Sequence, residues 1–442
     1  MALSPDDRPS LFSRLGGLLR YANLRWRLLE RVARAFGALA QRFFPVFQRG
    51  NTVYVLRCSD VRSVLARPDD FSVAIFGLRM IDTIGLTFLG MNPSPQYTRE
   101  SGAMRAALQV PDARPGASSP SLGPDQLGRL TWVRRFGAGL ASQRVNEALK
   151  TKGEVDVVSD LADVVPLHFA REFFGTPEPD PHHPEILHCM KLASYYVFSP
   201  AASDWAVPAH RAGNRMRDYF GVLVAERHAA IREGRETPDD VLGRLIAAQD
   251  GPGGLDDDAI ARSLGFISGA MIPTSWLFIE AVDRLMGLPR RQRERLHRLA
   301  VEGDVAGVRA YVVEAARFFP FPFFILRYAE RDTEIAGRPI AHGTTVNLVI
   351  GAATTDPRAM KRPGRFIPGR PESEYMLFGH ETHYCQGADI AEELMTQMAM
   401  SLFSRENLRR APGLRGFIDY GPKGGPLPNG YYPRTFILKA DG

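Results

Sequence analysis

The chain has 442 residues, of which 45% are hydrophobic and 24% charged, and a formal net charge of +6. This is a globular composition rather than a disordered or fibrous one, and the length alone gives two domains as the naive prior. The mild excess of base is too diffuse for a nucleic-acid footprint, while it suits an acidic protein partner or a membrane surface.

The N-terminal stretch "MALSPDDRPSLFSRLGGLLRYANLRW" carries acid near its start, scattered arginines and no unbroken apolar run, so no secretory leader is expected. Residues 21–43, "YANLRWRLLERVARAFGALAQRF", read as a basic amphipathic helix, either packed on its own domain or touching a membrane peripherally. "NTVYVLRCSDVRSVLA" reads as a strand, a turn with Ser59-Asp60 as helix N-cap, and a short helix. An apolar loop region follows, then a helix starting near Gln96 and an exposed Pro/Gly/Ser-rich loop, "VPDARPGASSPSLGPDQ".

From Leu127 to Asp250 helical patterning dominates, and His182-His183 sits in a Pro-rich turn without a partner at metal-ligand spacing. The apolar helix "ARSLGFISGAMIPTSWLFIEAVDRLM" comes next. Its longest uncharged part, Ser263 to Ile279, falls short of the roughly 18 apolar residues of a membrane span and is rich in small and polar residues. "YVVEAARFFPFPFFILRYAERDTEIAGRPIAHGTTVNLVI" turns from helix into short strands with hairpin turns. A helix, "GADIAEELMTQMAMSLFSRE", and a strand-like "GYYPRTFILKA" close the chain. The elements are mainly α with small β sheets and no αβ alternation, which excludes a Rossmann sheet or a barrel.

Three cysteines, Cys58, Cys189 and Cys385, are too few and too far apart for a disulfide framework or a CxxC metal knuckle, and point to the reducing cytoplasm. Cys58 and Cys189 read as structural thiols. Cys385 lies in "FGHETHYCQG", residues 378–387, just before a helix. Unpaired N–H groups at a helix start stabilise a thiolate, which can be a nucleophile with His383 as base, a redox sensor, or an axial ligand to iron.

"FGHETHYCQGADIA" resembles the haem-binding signature of cytochromes P450, Phe-Gly-x-Gly-x-His/Arg-x-Cys-x-Gly-x-x-x-Ala, at Phe378, Gly379, His383, Cys385, Gly387 and Ala391. Glu381 departs from it, standing where the family has a glycine that permits a tight turn. Upstream, "EAAR" resembles the family's Glu-x-x-Arg at Glu314 and Arg317, and "PGRF" supplies Arg365 for the further arginine that joins this pair. Arg327 resembles the arginine that binds a haem propionate. For the second propionate arginine, "PQYTRESGAMR" offers Arg99 and Arg105, with Tyr97 where histidine is usual; Trp132, Arg134 and Arg135 give a competing register.

The resemblance covers nearly the whole chain and replaces the two-domain prior with one cytochrome P450 domain, 1–442. It implies haem b (iron protoporphyrin IX) with Cys385 as iron ligand. Phe378, His383, Gly387, Arg327 and Arg99 are then cofactor contacts, and Glu314, Arg317 and Arg365 structural.

The distal helix departs most. Family members that activate dioxygen carry an acid and an alcohol there to relay protons. Here Ile272 falls at the acid and Pro273 and Thr274 at the two threonines; a one-residue slip makes Thr274 the alcohol and Pro273 the acid, and neither register contains a carboxylate. Mid-helix proline also frees a carbonyl and kinks the helix. Proline here resembles the P450 peroxygenases, although Ile272 stands where they carry arginine. Ala270, the aromatic run Phe318, Phe319, Phe321, Phe323 and Phe324, and the apolar segment "AIFGLRMIDTIGLTF" at residues 74–88 are the expected pocket walls, so a lipophilic small molecule is the expected substrate. The resemblance then implies peroxide- or hydroperoxide-using chemistry. The alternatives are a conventional monooxygenase fed by a ferredoxin or flavoprotein reductase, docking near Lys361, Arg362 and Arg365, and a non-catalytic haem sensor or carrier.

Overall fold

A computed structural model describes residues 37, 39–109, 124–176, 185–198, 205–420 and 432–441. Most of the basic helix at 21–43, the loop centred on 110–123 and the His182-His183 turn lie outside the described residues.

Strands β1 (Val46–Arg49) and β2 (Thr52–Val55) form a hairpin whose turn uses Gly50 at φ +59°. They join β3 (Phe71–Ser72), β5 (Phe324–Ala329) and β8 (Thr345–Val349) in a five-stranded sheet of order β1-β2-β8-β5-β3. β2 runs parallel to β8 across almost 300 residues of sequence, and β5 is antiparallel to β8. A second sheet, of order β4-β10-β9, joins β4 (Val155–Asp156) and β9 (Arg409–Arg410) to β10 (Ile437–Lys439) near the C-terminus. The hairpin β6–β7 (Thr333–Ile335, Arg338–Ile340) turns through Ala336 and Gly337, both at positive φ, as a two-residue turn between twisted strands requires.

The rest is helical, and short polar side chains set several helix starts. Ser94 accepts the Tyr97 N–H at 3.0 Å ahead of Pro95, opening the helix Pro95–Ala107. Asp256 and Asp304 cap the helices Asp257–Gly269 and Val305–Arg317 in the same way. The helix after β2 departs from the Ser59-Asp60 cap expected of it. It starts at Cys58, whose N–H goes to Asp356 Oδ2 at 3.0 Å, so a side chain 298 residues away takes the capping role.

The helix Ala388–Phe403 buries Ile390, Leu394, Met395, Met398 and Leu402 and packs along Pro124–Lys152. The apolar stretch Asp257–Met286 is long enough to cross a membrane by composition, yet 78% of its most apolar window is buried inside the protein. It is not one continuous helix. Asp257–Gly269 and Met271–Met286 meet at a turn on Ala270. Pro273 has no N–H to give the Gly269 carbonyl four residues back, which accounts for a break at that point.

Candidate active site

A cavity of about 280 Å³ separates the cysteine loop from the broken helix. Phe378, Gly379, Cys385 and Gly387 line it from one side, with Ile390 and Ala391 of the following helix. Gly269, Ala270, Pro273 and Thr274 line it from the other. Cys385 is exposed to this space while the protein encloses it. Burial pushes its thiol pKa up, the Gly387 N–H pulls it down and Asp389 raises it again.

The loop holds its shape through backbone. The Cys385 N–H donates to the Phe378 carbonyl at 2.9 Å, closing the turn. Gly379 sits at φ +84° and Glu381 at φ +52°. Glu381 thus takes the left-handed conformation that a glycine adopts without strain, so the departure from the signature is one of side chain and not of loop path. Tyr97 fixes the loop from the side: its hydroxyl donates to the Thr382 carbonyl at 2.6 Å and its ring meets His383 edge-on at 5.5 Å.

Polar groups at the cavity edge lack partners. Arg327 is buried, lines the cavity and donates only to the Leu326 carbonyl, with no carboxylate beside it among the described residues. Burial lowers its pKa to about 10. His383 Nε2 is buried without a hydrogen-bond partner, and burial with the Arg327 charge lowers its pKa to about 4. A buried guanidinium and a buried imidazole nitrogen left open to one cavity call for an anionic ligand between them. Beside a cysteine thiol at the cavity floor, that is the donor set for a flat iron macrocycle with acidic side arms.

A family model described as Cytochrome P450 matches residues 305–411. The chain is 30% identical to Cytochrome P450 BJ-3 of Bradyrhizobium diazoefficiens over 62% of its own length and 64% of that relative's. It is 29% identical to the erythromycin C-12 hydroxylase of Saccharopolyspora erythraea over 88% of this chain and 92% of that one. A solved structure of a mutant of P450 EryK with erythromycin B superposes with a TM-score of 0.72 at 21% identity, covering 93% of this chain and 97% of that chain. The chain belongs to the cytochrome P450 superfamily.

Members of the superfamily bind haem b through a cysteine thiolate, and the residues here fit it. Cys385 would supply the thiolate to the iron, and Arg327 and His383 would offer donors to the propionates. When bound, haem supplies the iron at which oxygen chemistry on a substrate takes place.

Two of the expected arginines are corrected by the geometry. Arg365 is exposed and only its backbone carbonyl joins the buried cluster, accepting from Arg317 Nη2 at 3.3 Å. The second guanidinium on Glu314 is that of Arg370, five residues on, with Nε 3.3 Å from Oε1. Arg317 itself holds Glu314 at 2.7 and 3.0 Å. Arg99 is exposed beside Gly253 and does not line the cavity, whereas Arg105 does. The competing register falls elsewhere: Trp132 stacks on Phe136, and Arg134 pairs with Glu393.

On the distal side, Pro273 and Thr274 line the cavity, and Thr274 Oγ1 donates to the Ala270 carbonyl at 3.3 Å. Ile272 is buried and turned away, toward Trp276, Phe321 and Tyr432. Ala270 and Phe321 line the cavity; Phe318, Phe319, Phe323 and Phe324 do not. Phe323 packs on Phe319 and over Gly351, where an added Cβ would meet it at 2.0 Å, and Phe324 pairs with Val349 in the sheet. The segment 74–88 contributes Phe76 and Phe88, and much of the remaining wall is Met190, Val197, Met216 and Phe266. Met190, Val197 and Met216 lie on amphipathic helices, where the hydrophobic pattern of a pocket wall is the same as that of a core.

Proposed function

We propose that this P450-type haem-thiolate oxidoreductase inserts or rearranges oxygen on a lipophilic small molecule, drawing that oxygen from peroxide or an organic hydroperoxide. The observation that carries this reading is chemical. Among the described residues no aspartate or glutamate lines the cavity, whose walls are mainly aliphatic and aromatic. Phe76, Phe88, Phe198, Phe266 and Phe321 would exclude water and hold an apolar substrate by contact area.

With Ile272 turned away, the side chain nearest the missing acid that can handle a proton is Thr274, and its hydroxyl is engaged with the Ala270 carbonyl. A hydroxyl passes a proton on but does not supply one at neutral pH, so a substrate that arrives with its O–O bond already made relieves the chain of that step. The 442 residues act as one such unit around the loop 378–387, with Arg327 and His383 holding the cofactor's acidic arms.

A dioxygen-dependent monooxygenase is the second reading, favoured by Thr274 in the cavity wall and by the hydroxylase name of the Saccharopolyspora erythraea relative. Exposed Lys361, Arg362 and Arg365 would then serve an acidic ferredoxin or flavoprotein. The test is optical. The reduced, carbon-monoxide-bound spectrum of the haem-loaded protein should show a thiolate-type Soret band, and the ferric protein should consume peroxide or a lipid hydroperoxide with formation of an organic product. Turnover only with reductase and ferredoxin supplied would favour the second reading. A thiolate band with no turnover under either regime would leave a haem sensor or carrier.

A further inference from the structure

The basic excess of the chain is not evenly spread. Between residues 20 and 49 there are seven arginines and one glutamate, a surplus equal to the +6 of the whole chain. From Arg31 to Ser59 there is no acidic residue at all.

The described end of this stretch shows what the charge accompanies. Leu39, Phe43, Phe44 and Phe47 are 55, 63, 66 and 36% exposed. Leu39 and Phe43 are four residues apart in one helical segment and share a face. Phe47 lies on β1, at the edge of the five-stranded sheet, with its ring stacked on Tyr54. The Arg42 guanidinium lies 5.6 Å over the Phe43 ring, and Arg49 ends the strand.

The backbone beneath these rings is fixed. Gln41 is buried and its Nε2 donates to the Ala352 carbonyl at 2.7 Å. Its own carbonyl accepts from Arg57 at 2.9 Å and from Arg358 at 3.3 Å. Two adjacent phenylalanines are thus held out in water on an anchored turn, and nothing about a loose chain end explains their exposure.

We propose that this surface docks peripherally on an anionic lipid membrane, with Leu39, Phe43, Phe44 and Phe47 entering the interface and Arg42 and Arg49 meeting lipid phosphates. Apolar rings interleaved with arginine, and no acid for almost thirty residues, match a negatively charged interface. The same charge opposes a second copy of this chain at the same face. A membrane-held enzyme would also meet lipophilic substrates where they partition.

The experiment is co-sedimentation of the full-length, haem-loaded protein with vesicles of phosphatidylcholine alone and of phosphatidylcholine with phosphatidylglycerol. Binding is expected to the anionic vesicles, weakened by salt, and lowered at least about tenfold by Phe43→Ser with Phe44→Ser. Phe44→Trp keeps the surface apolar, and the emission it adds is expected to shift to the blue on the anionic vesicles. An unchanged carbon-monoxide-bound spectrum shows that each variant is folded. Absence of the protein from both vesicle pellets overturns the proposal. So does undiminished binding of the double variant, or an emission at position 44 that does not move. None of these readouts depends on what the haem site catalyses.

Discussion

Arg370 places its Nε 3.3 Å from Oε1 of Glu314, a residue 56 positions earlier in the chain. That carboxylate also receives two nitrogens of Arg317, the Ile367 N–H at 3.0 Å and the Tyr375 hydroxyl at 3.1 Å. Glu314 and Arg317 are fully buried. The remaining donors of Arg370 are taken by the Lys361, Arg362 and Arg365 carbonyls and by Glu374. This one side chain therefore ties the segment that leads into the cysteine loop to the helix Val305–Arg317. Arg370→Leu leaves Glu314 on Arg317 but strips the Lys361, Arg362 and Arg365 carbonyls and Glu374 of their shared donor, so it should cost about 2–3 kcal/mol. Arg365→Ala, which removes only an exposed side chain, should cost under about 0.5 kcal/mol. Chemical denaturation of the two variants separates them, and equal losses would contradict this assignment.

Glu381 bears a different kind of cost. Its φ of +52° puts Cβ against its own backbone, and its exposed side chain makes only a weak approach of 3.6 Å to His380 Nε2. Glycine is at ease in this conformation, although it gives the unfolded chain more freedom. Glu381→Gly should therefore stabilise by about 0.5–1 kcal/mol, and Glu381→Val should destabilise by about 1–2 kcal/mol. The melting temperatures of the two variants should move in opposite directions, with the thiolate Soret band kept in both.

Glu280 predicts a pH dependence. It is buried in the helix Met271–Met286 and takes a hydrogen bond from the Tyr420 hydroxyl. Burial first, and then the Asp283 charge, raises its pKa well above the ordinary 4.5. A carboxyl whose pKa rises on folding is equally protonated in both states below 4.5, and its penalty grows as pH rises from there toward the folded value. Each pH unit in that window costs about 1.4 kcal/mol. Glu280→Gln keeps an acceptor for Tyr420 and cannot ionise. Its stability relative to the parent should therefore improve steadily as pH is raised from 4.5, read as the difference in melting temperature. A difference that stays flat with pH would show that Glu280 titrates normally.

The legible parts of this protein were those written as local spacing. The loop from Phe378 to Gly387 and the Glu314–Arg317 pair lie on contiguous residues, and the structure brings each together as its spacing suggests. Arg370 was not legible, because "PGRF" and "PGRP" both present an arginine after Pro-Gly, and only the path of the loop decides which one turns inward. Arg99 and Arg105 differ by six residues on a helix, so their directions differ by about 240° and a small error of register exchanges cavity for solvent. Phe323 and Phe324 look like wall residues in the sequence because aromatic density is alike in a pocket and in a core; the close approach of Gly351 claims one, and β-pairing the other. The break at Ala270 was foreseeable from Pro273, since a missing N–H is a property of the residue itself.

Thr274 offers the sharpest separation between the two catalytic readings. Its side chain lines the cavity and its hydroxyl donates to Ala270, at the carbonyl next to the one that Pro273 leaves free. If oxygen comes from peroxide, Thr274 has no delivery of solvent protons to perform, and Thr274→Ala should lower peroxide-driven turnover less than about threefold. If dioxygen is the oxidant, loss of a proton-handling group should cost on the order of a hundredfold or more. Thr274→Val keeps the bulk of the side chain and separates hydroxyl loss from cavity widening. Measuring both variants with peroxide, and with a surrogate ferredoxin and reductase, gives four rates. A small effect with peroxide beside negligible reductase-driven turnover supports the peroxide reading. A large effect confined to efficient reductase-driven turnover would assign Thr274 the alcohol's role and require an ordered water in the place of the absent acid.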